Sequence, residues 1–144
     1  MSGMRRMFFL SGAILFAILS AALAGTPAED EQKYRAAVNE GVELLQTGQR
    51  EEINRAIAKF KTALRLRPES AEAFYWIALA YSDQDNFIRA VEYAKDATVY
   101  DETMSEAWLL LGQLRLYLKE WNEALRALEH ASRLAPDNPM VQFN

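Results

Sequence analysis

His130 is the only histidine in the chain, and there is no cysteine. Imidazole chemistry therefore rests on one residue, and thiolate nucleophiles are excluded. An imidazole acting as general base needs a group that orients its second nitrogen. On a helix the neighbours of His130 lie three and four residues away. They are Arg126, Ala127, Arg133 and Leu134, with no acid among them. A histidine metal site lacks a second imidazole, and thiolate sites are excluded. Asp83-Gln84-Asp85-Asn86 has the acidic spacing that opens a calcium loop. Such a loop needs a glycine at its sharp turn and a bidentate glutamate at its end, where Ala94 stands. The four residues read instead as a turn, with Asp85 or Asn86 capping the next helix. No phosphate-cradling glycine loop and no serine-nucleophile motif occurs. The expectation is no enzyme: no catalytic residue, no cofactor and no metal.

The elements carrying these residues are expected to be helices. The chain has 144 residues, the size of one ordinary domain. At 51% hydrophobic and 25% charged it can bury a core. Ala, Leu, Glu, Arg and Lys dominate, and runs rich in Val, Ile and Thr are missing, so the fold class is all-α. The net charge is −4 and no basic stripe is present, which argues against nucleic acid as a partner.

The first residues form a different kind of segment. Arg5 and Arg6 precede an apolar run from Met7 to Leu19, and Ala22-Leu23-Ala24 supplies a small-residue exit. This is the layout of a secretory signal peptide, residues 1–24, cleaved after Ala24. The alternative is a retained anchor over residues 7–25, long enough to span a bilayer, and only then would the chain touch a membrane. Either way the remainder is exported, to the periplasm or the extracellular space. Loss of Arg5 and Arg6 leaves 20 acidic residues unchanged and takes the net charge to −6. Residues 25–32 read as a linker.

Beyond the linker the chain repeats itself. "INRAIAKFKTALRLRP", "FIRAVEYAKDATVYDE" and "WNEALRALEHASRLAP" align at a constant interval of 34 residues. That interval links Ile53, Phe87 and Trp121, then Ala56, Ala90 and Ala124, then Phe60, Ala94 and Leu128, then Ala63, Ala97 and Ala131. Pro68 and Pro136 match, with Glu102 between them. A second helical segment precedes each block, with Gly41, Ala78 and Gly112 in equivalent places. Each unit reads as a helical hairpin in which small residues let two backbones approach, Gly112 against Ala124 for instance. Phe74, Ile77, Ala78 and Tyr81 follow a buried helix stripe. Thr103 with Glu106 reads as a capping box.

With these residues in place, the sequence resembles the tetratricopeptide repeat family over residues 33 to 138. The copies fall at residues 33–70, 71–104 and 105–138, leaving 139–144 as a short tail or partial cap. "EAWLLLGQLRLYLKEWNEALRALEHASRLAPDN" is the fullest copy, with Trp108, Leu111, Gly112, Ala124, Leu128, Ala131 and Pro136 on signature places. The resemblance implies a right-handed α-solenoid of three helix-turn-helix units. There are three departures. About three extra residues near "GQREE" would lengthen the first inter-helix turn; Arg115 replaces a large apolar residue; Glu102 replaces a proline, smoothing the passage into the third unit. His130 falls where the family places exposed, variable residues.

The resemblance also implies a concave groove that binds a protein or peptide segment. The groove would be lined by Val38, Val42, Tyr75, Trp76, Leu79, Asp83, Leu109, Gln113, Leu116 and Tyr117. Where the family clamps acidic peptide tails, this chain has Val38, Val42, Trp76, Glu106 and Leu110. An apolar or amphipathic segment with some basic character therefore fits better. Asn39, Glu40, Glu43 and Gln46 make the first helix a polar cap. At the other end, Asn138 and Pro139 open a helix, in which Met140, Val141 and Phe143 would form a stub over the last hairpin. Otherwise the last hairpin is open to another molecule, and self-association through it becomes one alternative to a peptide-binding adaptor; a membrane-tethered scaffold that retains residues 7–25 is another. A non-catalytic subunit of an envelope enzyme complex is a more remote alternative.

Overall fold

The computed structural model describes residues 26–137. The expected signal peptide or anchor, and the tail with Asn138, Pro139, Met140, Val141 and Phe143, lie outside the described residues. Among the described residues all regular structure is helical: α1 (Pro27–Gln46), α2 (Arg50–Leu66), α3 (Ala71–Asp83), α4 (Phe87–Tyr100), α5 (Ser105–Tyr117) and α6 (Trp121–Leu134). The described residues fall into two units that divide between Gln32 and Lys33.

In the first unit, Pro27 opens α1 at the position where a missing N–H does no harm. The Thr26 hydroxyl accepts from the Glu29 N–H at 3.2 Å, and the Glu29 carboxylate accepts from the Thr26 N–H at 3.1 Å. This reciprocal pair is a capping box. Most of the expected linker is thus helical, from Pro27 onward, and "TPAE" carries the local reason.

In the second unit, three helical hairpins keep one register. From Gly41, Ala78 and Gly112 each first helix runs five residues further, to Gln46, Asp83 and Tyr117. A three-residue turn follows every time, and its middle residue is left-handed: Gly48 at φ 66°, Asp85 at 59° and Lys119 at 62°. The first turn is therefore not longer than the others. Its extra residues extend α2, which has 17 residues against 14 in α4 and in α6. Glu51 and Glu52 in that added turn favour a helix N-terminus.

The second helices also end in register, at Leu66, Tyr100 and Leu134. The next N–H in each case donates to Ala63, Ala97 or Ala131. Glu102 does not smooth the chain into the third hairpin. Asp101 stops α4 instead, its carboxylate accepting from the Thr103 N–H at 2.9 Å and the Thr103 hydroxyl at 2.7 Å. Those two bonds hold the Asp101 carboxyl below the ordinary range. They also take Thr103 out of helix capping: α5 starts at Ser105, with Met104 as N-cap and no side-chain cap bond. The capping box expected there does not form. Asn86 does cap α4, accepting from the Arg89 N–H at 3.4 Å.

Small residues mark the crossings. Ala56, Ala63, Ala90, Ala97, Ala124 and Ala131 have no exposed surface, so each second helix meets its neighbours along an alanine stripe. Large residues fill the space around it. A methyl added at Gly41 would lie 2.4 Å from the Phe60 ring. At Gly112 it would lie 2.5 Å from Leu128 Cγ and 3.3 Å from the Ala124 carbonyl oxygen. Leu128 is thus the close partner of Gly112, with Ala124 contributing backbone. Hairpins join through further apolar contacts, such as Phe60 stacked on Trp76 at 6.1 Å. Ile77, Ala78 and Tyr81 are buried as expected, and half-buried Phe74 stacks on Tyr100 of α4 at 5.1 Å.

Tyr34 ties α1 to the start of α3. Its hydroxyl lies 2.7 Å from the Ser70 hydroxyl and donates to Glu72 at 2.8 Å. Ser70 is also the N-cap of α3, accepting from the Ala73 N–H. Burial pushes the Tyr34 phenol up to about 12; the Glu72 carboxylate adds to this, and the Ser70 hydroxyl opposes it. Because the folded value is the higher one, the unfolded chain releases this proton first. Stability should be intact below pH ~10 and fall between about 10 and 12. Absorbance at 295 nm should show Tyr34 titrating in the last phase, near 12, and Tyr34→Phe should reduce the amplitude of that phase by one tyrosine. A last phase left undiminished in Tyr34→Phe would assign it elsewhere.

Candidate functional site

The expected groove residues come from α1, α3 and α5, and the structure treats them differently. Val38 is buried with Tyr34, Ala37, Ala63 and Ala73, so it offers no surface to a partner. Its place in the groove is corrected: α1 packs that face against the α2–α3 junction. Val42 and Leu79 are half-buried against the core. Tyr75 and Trp76 meet edge-on at 5.5 Å, and Trp76 spends one face on Phe60. Burial raises the Tyr75 phenol, with the charge of Glu106 adding to it. Asp83 is exposed, yet the protein around its carboxyl holds that group above the ordinary range.

The expected residues on α5 stand nearer the surface. Leu109 and Gln113 are half-buried, while Leu116 and Tyr117 are exposed, Tyr117 at 70%. Gln113, Leu116 and Tyr117 together line a cleft of about 490 Å³. The Tyr117 ring is held parallel to Phe87 of α4, 4.9 Å away, so an exposed aromatic is also a fixed one. A rigid aromatic presented beside an amide and a leucine is suited to grip an apolar segment without losing much side-chain freedom.

His130 is not the solvated, interchangeable residue expected. It is half-buried, with its ring stacked on Trp108 at 4.1 Å and its Nδ1 buried without a hydrogen-bond partner. The helical wheel places it correctly away from Ala124 and Leu128. Trp108 of α5, however, reaches across the seam to that flank of α6 and covers the ring. No group of three or more His, Asp or Glu side chains among the described residues is placed to hold a metal ion.

Two residues escaped the sequence reading. Trp121 is 61% exposed and Leu125 is 58% exposed. Their counterparts in the first hairpin, Ile53 and Ile57, are 3% and 7% exposed. The 34-residue alignment contains the signal, since the third hairpin keeps large apolar residues where the first has buried ones.

Comparisons with known proteins agree with this architecture. A family described as anaphase-promoting complex, cyclosome, subunit 3 matches residues 49–131. Among solved structures, the Sgt2 TPR domain from Aspergillus fumigatus is 28% identical, with a TM-score of 0.68 over 82% of this chain and 74% of that one. The first TPR of Spaghetti, bound to an HSP90 peptide, is 22% identical with a TM-score of 0.71, over 76% of this chain and 85% of that one. The second TPR domain of human RPAP3, in complex with an HSP70 peptide, is 21% identical with a TM-score of 0.71, over 78% and 91%. Three hairpins in a common 34-residue register, a family match over more than half of the chain and these shared folds lead to one conclusion: the chain belongs to that family of tetratricopeptide-repeat proteins.

Proposed function

We propose that this protein is a non-catalytic interaction module that holds an apolar or amphipathic segment of a partner protein against α5. One observation carries the reading: Gln113, Leu116 and Tyr117 line a common cleft, with Tyr117 exposed and locked against Phe87. The peptide complexes of Spaghetti and human RPAP3 support the general mode, a peptide bound by a TPR domain. Their acidic peptides are a poor guide to the ligand. Glu106 and the apolar Leu110 and Trp76 stand where a clamp for a terminal carboxylate would need amides and bases. Photo-crosslinking groups at Leu116 and Tyr117 should capture a partner in the native host, while the same group at Glu92 on α4 should not. Equal capture at all three positions would remove the groove from the account.

We further propose that the module works outside the cytoplasm, with residues 1–24 acting as a signal peptide. Arg5, Arg6, the apolar run and the Ala22-Leu23-Ala24 exit support this. No helix among the described residues is long and apolar enough to cross a membrane. Intact mass of the protein from its native host should show loss of the first 24 residues. A full-length mass would leave the segment as an anchor.

A further inference from the structure

The seam between the two helices of a hairpin can be compared position by position, because the repeats keep a 34-residue interval. In the second hairpin the seam is closed by rings. Tyr93 of α4 stacks on Tyr81 at 5.5 Å and leans on Phe74 at 6.2 Å. The Arg89 guanidinium lies over Tyr81 at 5.5 Å and donates to its hydroxyl at 3.3 Å. In the first hairpin the position of Tyr93 belongs to Lys59, which forms an ion pair with Glu40 across the seam.

In the third hairpin that position is Ala127; the His130 ring, one turn on, stacks on Trp108 but does not fill the space beside Arg115. A cleft of about 370 Å³ remains, bordered by Trp108, Arg115, Ala127 and His130 and rimmed by Arg126 and Arg133. Arg115 stands where the second hairpin has Tyr81. Its Nε is buried and has no hydrogen-bond partner, and the same is true of His130 Nδ1. A buried guanidinium N–H without an acceptor is unfavourable unless something fills the site. Of the two acids at the cleft, Glu123 is already held by Arg126 at 3.0 Å. Glu129 remains, against Arg115 and Arg133. The walls are flat π surfaces: an indole stacked on an imidazole, with a guanidinium beside them.

We propose that this cleft is a second binding site, distinct from the groove, for an aromatic ring carrying a carboxylate. The ring takes the space that Tyr93 fills in the second hairpin, with the His130 ring as one wall, and the carboxylate pairs with the guanidinium of Arg115. The site lies on the opposite side of α5 from Gln113, Leu116 and Tyr117, as the 100° step of a helix requires. The same chemistry can come from a free aromatic acid or from a peptide ending in phenylalanine, and the experiment separates the two.

As the only histidine, His130 gives a single set of imidazole resonances. Phenylacetate, a short peptide ending in phenylalanine and its C-terminal amide are titrated in turn against the full chain while those resonances are followed. Saturable shifts with phenylacetate assign the site to a free acid. Shifts with the free-acid peptide alone assign it to a chain terminus. Ala127→Tyr should restore the ring of the second hairpin and abolish either shift. Arg115→Gln, which leaves the cleft open, should weaken binding about tenfold. The proposal is overturned if no probe shifts the imidazole at millimolar concentration, if the amide binds as well as the acid, or if Ala127→Tyr folds and still binds. Should Ala127→Tyr fail to fold, unchanged binding in Arg115→Gln overturns it alone.

Discussion

Phe60→Ala is expected to lower stability by about 3–5 kcal/mol, a large part of what a domain of this size has in reserve. Phe60 has no exposed surface and does two jobs at once. Its ring edge fills the space above Gly41, and its face stacks on Trp76 of the next hairpin. Removing it leaves a cavity at the joint between the first and second hairpins. Collapse is limited there because the surrounding alanines are already in contact. Urea denaturation with a fixed slope should report the loss as a lower midpoint. A cost below about 1 kcal/mol would mean that the joint repacks freely, contrary to the close contacts described.

The second large effect is a coupling between two positions. Gly112→Ala adds a methyl that meets a branch carbon of Leu128 at 2.5 Å, and backbone at 3.3 Å. Leu128 Cγ is not a free end that swings away, so the helices must part. A loss of about 1–3 kcal/mol is expected. This outweighs the gain of about 1 kcal/mol that alanine normally brings to a helix interior. Leu128→Ala alone should cost about 2–5 kcal/mol by opening a cavity. Together the two changes recreate the pairing of the second hairpin, where Ala78 and Ala94 occupy these positions and are fully buried. The double variant should therefore be less destabilised than the two single losses added, by about 1 kcal/mol or more. Simple additivity in a double-mutant cycle would show that the two positions do not share the crossing.

The same crossing explains how much of the fold was legible beforehand. Gly41, Ala78 and Gly112, the alanine stripes and the prolines recur at a fixed interval, and recurrence identifies a hairpin even where one copy departs from the pattern. Sequence and structure differ at helix ends. The extra residues near Gly48 read as turn, yet Arg50, Glu51 and Glu52 are good formers of a first helical turn and extend α2. Thr103 reads as half of a capping box, but Asp101 competes for both of its donors. At both ends two local hydrogen-bonding patterns are compatible with the same residues, and spacing does not choose between them.

The candidate sites divide along a similar line. By itself the sequence determined the period, the register of the helices and the side of α5 on which Gln113, Leu116 and Tyr117 stand. These follow from positions along one chain and the geometry of one helix. Only the tertiary structure decided which apolar residues are covered. Val38 is buried and Trp121 exposed, Ile53 closed over and Leu125 open, although all four sit on apolar helix faces. It also decided that His130 lies against Trp108 and that Ala127 leaves a cleft beside it. Burial is a property of the neighbouring helix as much as of the residue, and that neighbour is reached only by folding.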